Sequence, residues 1–109
     1  MDATRAATAL LVDDDLVSRQ ANRLRLETEG YMVVLAQDEA EGLTRAKQSS
    51  PNVIYVHLAA GAQGSVPFMQ ALRSDDSCRH IPIVVIKAPG NVQAAQKLKT
   101  LRSVHRDRW

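Results

Sequence analysis

The sequence predicts an α/β fold, a doubly wound parallel sheet of four or five strands whose C-terminal end is truncated or altered. Three observations predict it. Short aliphatic runs alternate with amphipathic stretches in the order strand, helix, repeated four times, which is the pattern of parallel strands joined by helical crossovers. Two runs, Val53–Leu58 and Ile83–Ile86, are almost wholly apolar, as parallel strands buried on both faces must be. Finally, Ala9-Leu10-Leu11-Val12 runs directly into Asp13-Asp14-Asp15. A buried strand ending in three carboxylates reaches a wet, polar site, and in open α/β sheets ligands bind outside the carboxyl ends of the strands.

The elements follow in order. Met1–Thr8 is expected to be a disordered lead, and residues 9–109 a single domain. Ala9–Val12 is the first strand. A helix is predicted from Leu16 to about Glu29, with Val17, Ala21 and Leu24 as its inward stripe and Arg19 and Arg23 on another face. Gly30 stops it as a C′ glycine. Tyr31–Ala36 is the second strand. Asp38 is the expected N-cap of the next helix, Glu39 and Glu41 suit its first turn, and Ala40, Leu43 and Ala46 form its apolar stripe. Ser49-Ser50-Pro51-Asn52 is a turn. Val53–Leu58 is the third strand. Ala59–Ser65 reads as a small-residue loop. Val66–Arg73 is a short helix with Phe68, Met69 and Leu72 inward and Pro67 in its first turn. Asp75–Pro82 is a polar connection in which Cys78 is expected to be a surface or half-buried thiol without a role. Ile83–Ile86 is the fourth strand. A last helix is predicted from Asn91 to about Leu101, with Val92, Ala95, Leu98 and Leu101 on one side.

The chain has 109 residues, enough for one domain and one core, and only 4% aromatics, so the core should be aliphatic. No apolar run approaches the roughly 18 residues of a membrane span, and Ala6–Val12 is too short for a signal peptide. The single cysteine forms no internal disulfide and suits a reducing cytosol, so the expected location is cytoplasmic. Charge is unevenly placed. Residues 1–86 carry eight Lys/Arg against eleven Asp/Glu, whereas residues 87–109 carry six against one. A basic end on an acidic body can meet nucleic acid or an acidic surface, but this one lacks the aromatic interleaving of a nucleic-acid site.

From Leu10 to Ala88 the chain resembles the receiver domain of bacterial two-component response regulators, which have a flavodoxin-like (CheY-like) fold. The residues that carry the resemblance are Leu10-Leu11-Val12-Asp13-Asp14-Asp15, the Gly30-Tyr31 step, the Asp38–Leu43 helix start, Pro51-Asn52-Val53-Ile54 and Ile81-Pro82-Ile83-Val84-Val85-Ile86. The resemblance implies a phosphorelay. In that family an aspartate ending the third strand accepts a phosphoryl group, and that aspartate and an acidic pair, here Asp13 and Asp14, hold Mg²⁺. A hydroxyl after the fourth strand and a lysine after the fifth then contact the phosphoryl oxygens.

This sequence departs from that pattern. The phosphoacceptor position is His57 and the switch-hydroxyl position is Lys87; the family's loop proline and last loop glycine are replaced by Gly61 and Ser65. No clear fifth strand follows, although Ser103–Arg106 could form a short one. An acyl phosphate needs a carboxylate that position 57 lacks, and Mg²⁺, which prefers oxygen ligands, is expected to bind weakly or not at all. Lys87 is expected to bridge to Asp13 or Asp14 as a substitute cation. The expected protein is therefore not an enzyme but a pseudo-receiver that works by phosphorylation-independent protein–protein contact, with no cofactor. Its partners are expected to be signalling proteins. A second copy could also pair through the fourth-strand side, since Ile83–Ile86 has neither charge nor proline to protect an edge. Two alternatives stand beside it: a metal- or pH-sensing site at Asp13, Asp14 and His57, or nucleic-acid binding through the basic C-terminal segment.

Overall fold

The computed structural model describes residues 6–86 other than Ala60. In chain order they form β1 (Thr8–Asp13), α1 (Leu16–Thr28), β2 (Met32–Ala36), α2 (Glu39–Ser49), β3 (Val53–His57), the single helical turn α3 (Gly61–Gly64), α4 (Val66–Arg73) and β4 (Ile83–Val85). Lys87, the expected last helix, any fifth strand and the basic C-terminal segment lie outside the described residues.

The strands make one parallel sheet in the order β2-β1-β3-β4. Alternation along each strand divides the core in two. Leu10, Val12, Ile54 and Val56 point to the face covered by α2 and α4, where they meet Ala46, Phe68 and Leu72. Ala9, Leu11, Val53 and Tyr55 point to the other face, where they meet Leu26 of α1. Tyr31 stands edge-on to Tyr55, with ring centroids 6.2 Å apart. After β2 the chain returns past β1 to lay down β3, so the strand order reverses between β1 and β3. That is the switch point at which a doubly wound sheet opens a crevice at its carboxyl edge.

The helix ends were written in the sequence. Gly30, with φ +100°, follows the α1 C-cap, and the Gly30 and Tyr31 N–H groups donate to the Glu27 and Leu26 carbonyls, satisfying groups the helix leaves bare. Asp38 accepts from the Glu41 N–H at 2.8 Å, and the Glu41 carboxylate reaches back to the Gln37 N–H at 2.9 Å, an outward-shifted version of the capping box.

Several expectations need correction. Order begins earlier than the expected lead allows: Thr8 is in β1, its N–H donates to Asn52 Oδ1, and Ala7 O accepts from the Met32 N–H. Gly61–Gly64 forms a helical turn within the expected loop. Cys78 is neither at the surface nor half-buried but fully buried. It and Ile81 are buried beside Leu72, because the Asp75–His80 turns fold back over the sheet. On α2, Gly42 rather than Ala40 faces inward. The largest correction concerns α1. Val17 is 76% exposed and Leu24 58%, while Ser18, Asn22 and the buried Leu26 face the sheet. The helix is turned so that polar side chains meet the polar strand end.

Candidate functional site

The parallel register places Asp13 directly opposite His57, at the carboxyl ends of β1 and β3. Asp13 is fully buried. A buried carboxylate must be paired or hydrogen-bonded, and this one gathers partners from the turn after β1, from α1 and from β3. Its Oδ1 accepts from the Asp15 N–H at 3.0 Å. The Ser18 hydroxyl lies 2.8 Å from Oδ1 and 2.7 Å from Oδ2, and Asn22 Nδ2 donates to Oδ2 at 3.2 Å. His57 Nδ1 stands 3.3 Å from Oδ1 and 3.2 Å from the Ser18 hydroxyl. The Arg19 guanidinium donates to the Asp13 carbonyl at 2.9 Å.

Asp14 is exposed and turns the other way. Both of its carboxylate oxygens accept from the Ala59 N–H at 3.0 Å, which ties β1 to the turn after β3. Asp15 is the α1 N-cap and accepts from the Ser18 N–H at 2.8 Å. The three adjacent acids thus do three different jobs. One is buried in a network, one clamps a turn and one starts a helix.

The structure brings Asp13 and His57 together and sets Asp14 beside them without joining it to either side chain. Among the described residues no three His, Cys, Asp or Glu side chains gather where they could hold one metal ion. The donor set is a poor match to Mg²⁺, which demands near-octahedral oxygen ligation. The third strand-end ligand is an imidazole, Asp13 is engaged by protein donors, and Asp14 is directed at Ala59. His80 is exposed and shares no hydrogen bond with this network.

Ser18, Arg19 and Asn22 were not identified as site residues by the sequence reading. The available signal was Asp15-x-x-Ser18, a helix start, followed by Asn22 and Leu26 at spacings of four, which is one helical face. Apolar counting favoured the neighbouring face instead.

No protein-family model matches the chain. Among curated proteins, the DNA-binding dual master transcriptional regulator RpaA of Synechocystis is 31% identical over 84 residues, covering 77% of this chain and 35% of RpaA. The polar-differentiation response regulator DivK of Brucella anthropi is 24% identical over 81 residues, covering 74% of this chain and 66% of DivK. The chain therefore spans about a third of the first relative and just under two thirds of the second. Among solved structures, the chemotaxis response regulator CheY4 of Vibrio cholerae superposes with a TM-score of 0.67 at 26% identity, over 86% of this chain and 81% of CheY4. With the strand order, the switch point and the acidic end of β1 already in place, these likenesses show a CheY-like fold and support reading the chain as a response regulator receiver domain.

Proposed function

We propose that this receiver domain signals by protein–protein contact without forming an acyl phosphate. One observation carries the reading. β3 ends in His57, and the imidazole is tied to Asp13 where the family resemblance implies a phosphoaccepting carboxylate. Without that carboxylate no acyl phosphate forms, and with Asp13 and Asp14 both engaged by protein donors Mg²⁺ is held weakly or not at all. The pocket is then fixed in one state by its own hydrogen bonds. Partners read a constant surface, and regulation comes from the amount of protein or from the partner. The domain acts in the cytoplasm and catalyses no reaction of its own.

The test uses the full chain with acetyl phosphate and MgCl₂, followed by intact mass and amide NMR, and beryllofluoride as a stable phosphoryl mimic. The expected result is no adduct and no shift at Asp13, Asp14 or His57. An acid-labile phosphoryl adduct, or a beryllofluoride shift centred on the β1 and β3 ends, overturns the reading.

The proposal includes a homodimer formed on the β4 side. Ile83, Val84 and Val85 carry no charge that would discourage strand pairing. Light scattering of the full chain at micromolar concentration is expected to give twice the chain mass; a monomer refutes this part.

A further inference from the structure

Among the described residues β2 is an edge of the sheet, paired to β1 on one side only. The Met32 N–H donates to Ala7 O, so alternation turns the backbone groups of Val33 and Leu35, with those of Tyr31 and Gln37, away from β1. The two outer donors of that row are taken. Tyr31 N–H donates to Leu26 O, and Gln37 N–H to the Glu41 carboxylate. Between them the Val33 and Leu35 N–H groups face outward without a partner among the described residues. The strand also lacks the usual guards of an edge. Met32–Ala36 holds no charge and no proline, and Met32 is 62% exposed.

The helices give this edge two unlike rims. α1 and α2 lie across β1 and β2 on opposite faces, so a strand added to β2 meets a flank of each. The α2 rim is neutral, because Glu41 is paired with Arg45 at 3.2 Å. The α1 rim is basic. The Gln37 N–H and Arg45 hold the Glu41 carboxyl below the usual glutamate range, and the Arg19 charge contributes, which puts Arg19 on the β2 flank of α1. Arg23 follows one turn later on the same flank, and both are half-buried. Arg23 Nε is buried without a hydrogen-bond partner. Glu27, a further turn on, is exposed to water. We propose that the β2 edge takes an extended segment of a partner protein by antiparallel strand addition, and that this segment alternates acidic with β-branched residues. Residues opposite Val33 and Leu35 share the α1 face of the sheet, where their carboxylates meet Arg19 and Arg23. The residues between them share the face of Val34, where β-branched side chains pack. Main-chain bonds to Val33 and Leu35 supply affinity, and the alternation supplies selection. A second copy fits less well, since an uncharged β2 brings no carboxylate to the arginines. The inference rests neither on the phosphorylation chemistry of the strand ends nor on pairing at β4, the opposite edge.

The test is an amide NMR titration of the full chain with an acetylated, amidated Val-Glu-Val-Glu-Val peptide. Saturable binding is expected, with the largest shifts and slowed hydrogen exchange at the Val33 and Leu35 amides. Methylating both glutamate nitrogens of the peptide, which face β2, is expected to weaken binding by at least roughly tenfold, whereas methylating the valine nitrogens, which face away, leaves it bound. Replacing both glutamates by lysine is expected to cost roughly tenfold, and Arg23→Glu to reverse the preference between the two peptides. No saturable binding, shifts that leave Val33 and Leu35 unmoved, equal binding of the lysine peptide, or indifference to glutamate methylation overturns the proposal. So does concentration-dependent broadening of the β2 amides without peptide, which would make a second copy the occupant. Should Arg23→Glu fail to fold, the peptide series on the wild-type chain decides it.

Discussion

Asp13 shows how one residue dictates the conformation of its neighbours. Its carboxylate is fully buried, and leaving such a group short of a donor costs about 1–3 kcal/mol. Ser18 supplies the shortest of its hydrogen bonds. Ser18→Ala is therefore expected to destabilise the fold by about 1–3 kcal/mol, read as a lower urea midpoint with unchanged slope. An unchanged midpoint would mean that Asn22 and the Asp15 N–H suffice on their own. At this scale the sequence was legible where chemistry and adjacency coincide. Three consecutive acids after a strand announce a polar strand end, and the register brings His57 to it. Ser18 and Asn22 escaped notice because serine and asparagine on a helix ordinarily face water, and only the buried carboxylate draws them inward. Cys78 was misplaced for a related reason. It sits among polar residues in sequence, but its turn folds against Leu72 and Ile81.

Elements are positioned by their ends and by what they bury, and α2 illustrates both. Its Glu41 carboxylate sits below the usual glutamate range, chiefly because it accepts from the Gln37 N–H, with the Arg45 side chain contributing. A carboxyl group whose folded pKa is depressed stabilises the fold above its unfolded pKa and loses that contribution as pH falls through the folded value. Glu41→Gln is accordingly expected to lower the urea midpoint at neutral pH, and the gap from wild type should close as pH drops below the ordinary glutamate range. A gap constant with pH would assign Glu41 a purely steric role. Further along α2, a Cβ on Gly42 would stand 2.9 Å from Val12 Cγ2 and 3.1 Å from the Phe68 ring. Gly42→Ala gains up to about 1 kcal/mol of helix propensity, but both neighbours are packed core side chains, and overpacking costs about 1–3 kcal/mol. The net expectation is a loss, seen as a lowered thermal midpoint; a raised midpoint would show that Phe68 yields. The caps at Gly30 and Asp38 could be read in advance because each uses one residue type for one local reason. The facing of α1 could not, because Val17, Ala21 and Leu24 satisfy the periodicity test for a core stripe as well as Leu26 and its polar neighbours do.

Across the molecule, the sheet brings together residues 44 positions apart, Asp13 and His57, and makes the strand ends part of the folding equilibrium. The strand order and the two-sided core followed from the alternation of apolar runs with helices, because a parallel strand buried on both faces leaves few alternatives. The hydrogen bonding of the strand ends was not legible, since it depends on which atoms converge once the strands are in register. His57→Asp tests the coupling directly. The variant places another carboxylate opposite Asp13, and neighbouring carboxylates disfavour each other's ionisation. Without a divalent cation it should unfold at lower urea than wild type. The substitution also frees the Asp13 Oδ1 site that His57 occupies and creates an all-oxygen donor set suited to Mg²⁺. An ion that binds only the folded state stabilises it by about 2.7 kcal/mol at a hundred times its Kd. The urea midpoint of His57→Asp is therefore expected to rise with MgCl₂ and fall back with EDTA, while that of the wild type stays still. Equal responses in the two proteins would mean that His57 is not what sets the cation preference of these strand ends.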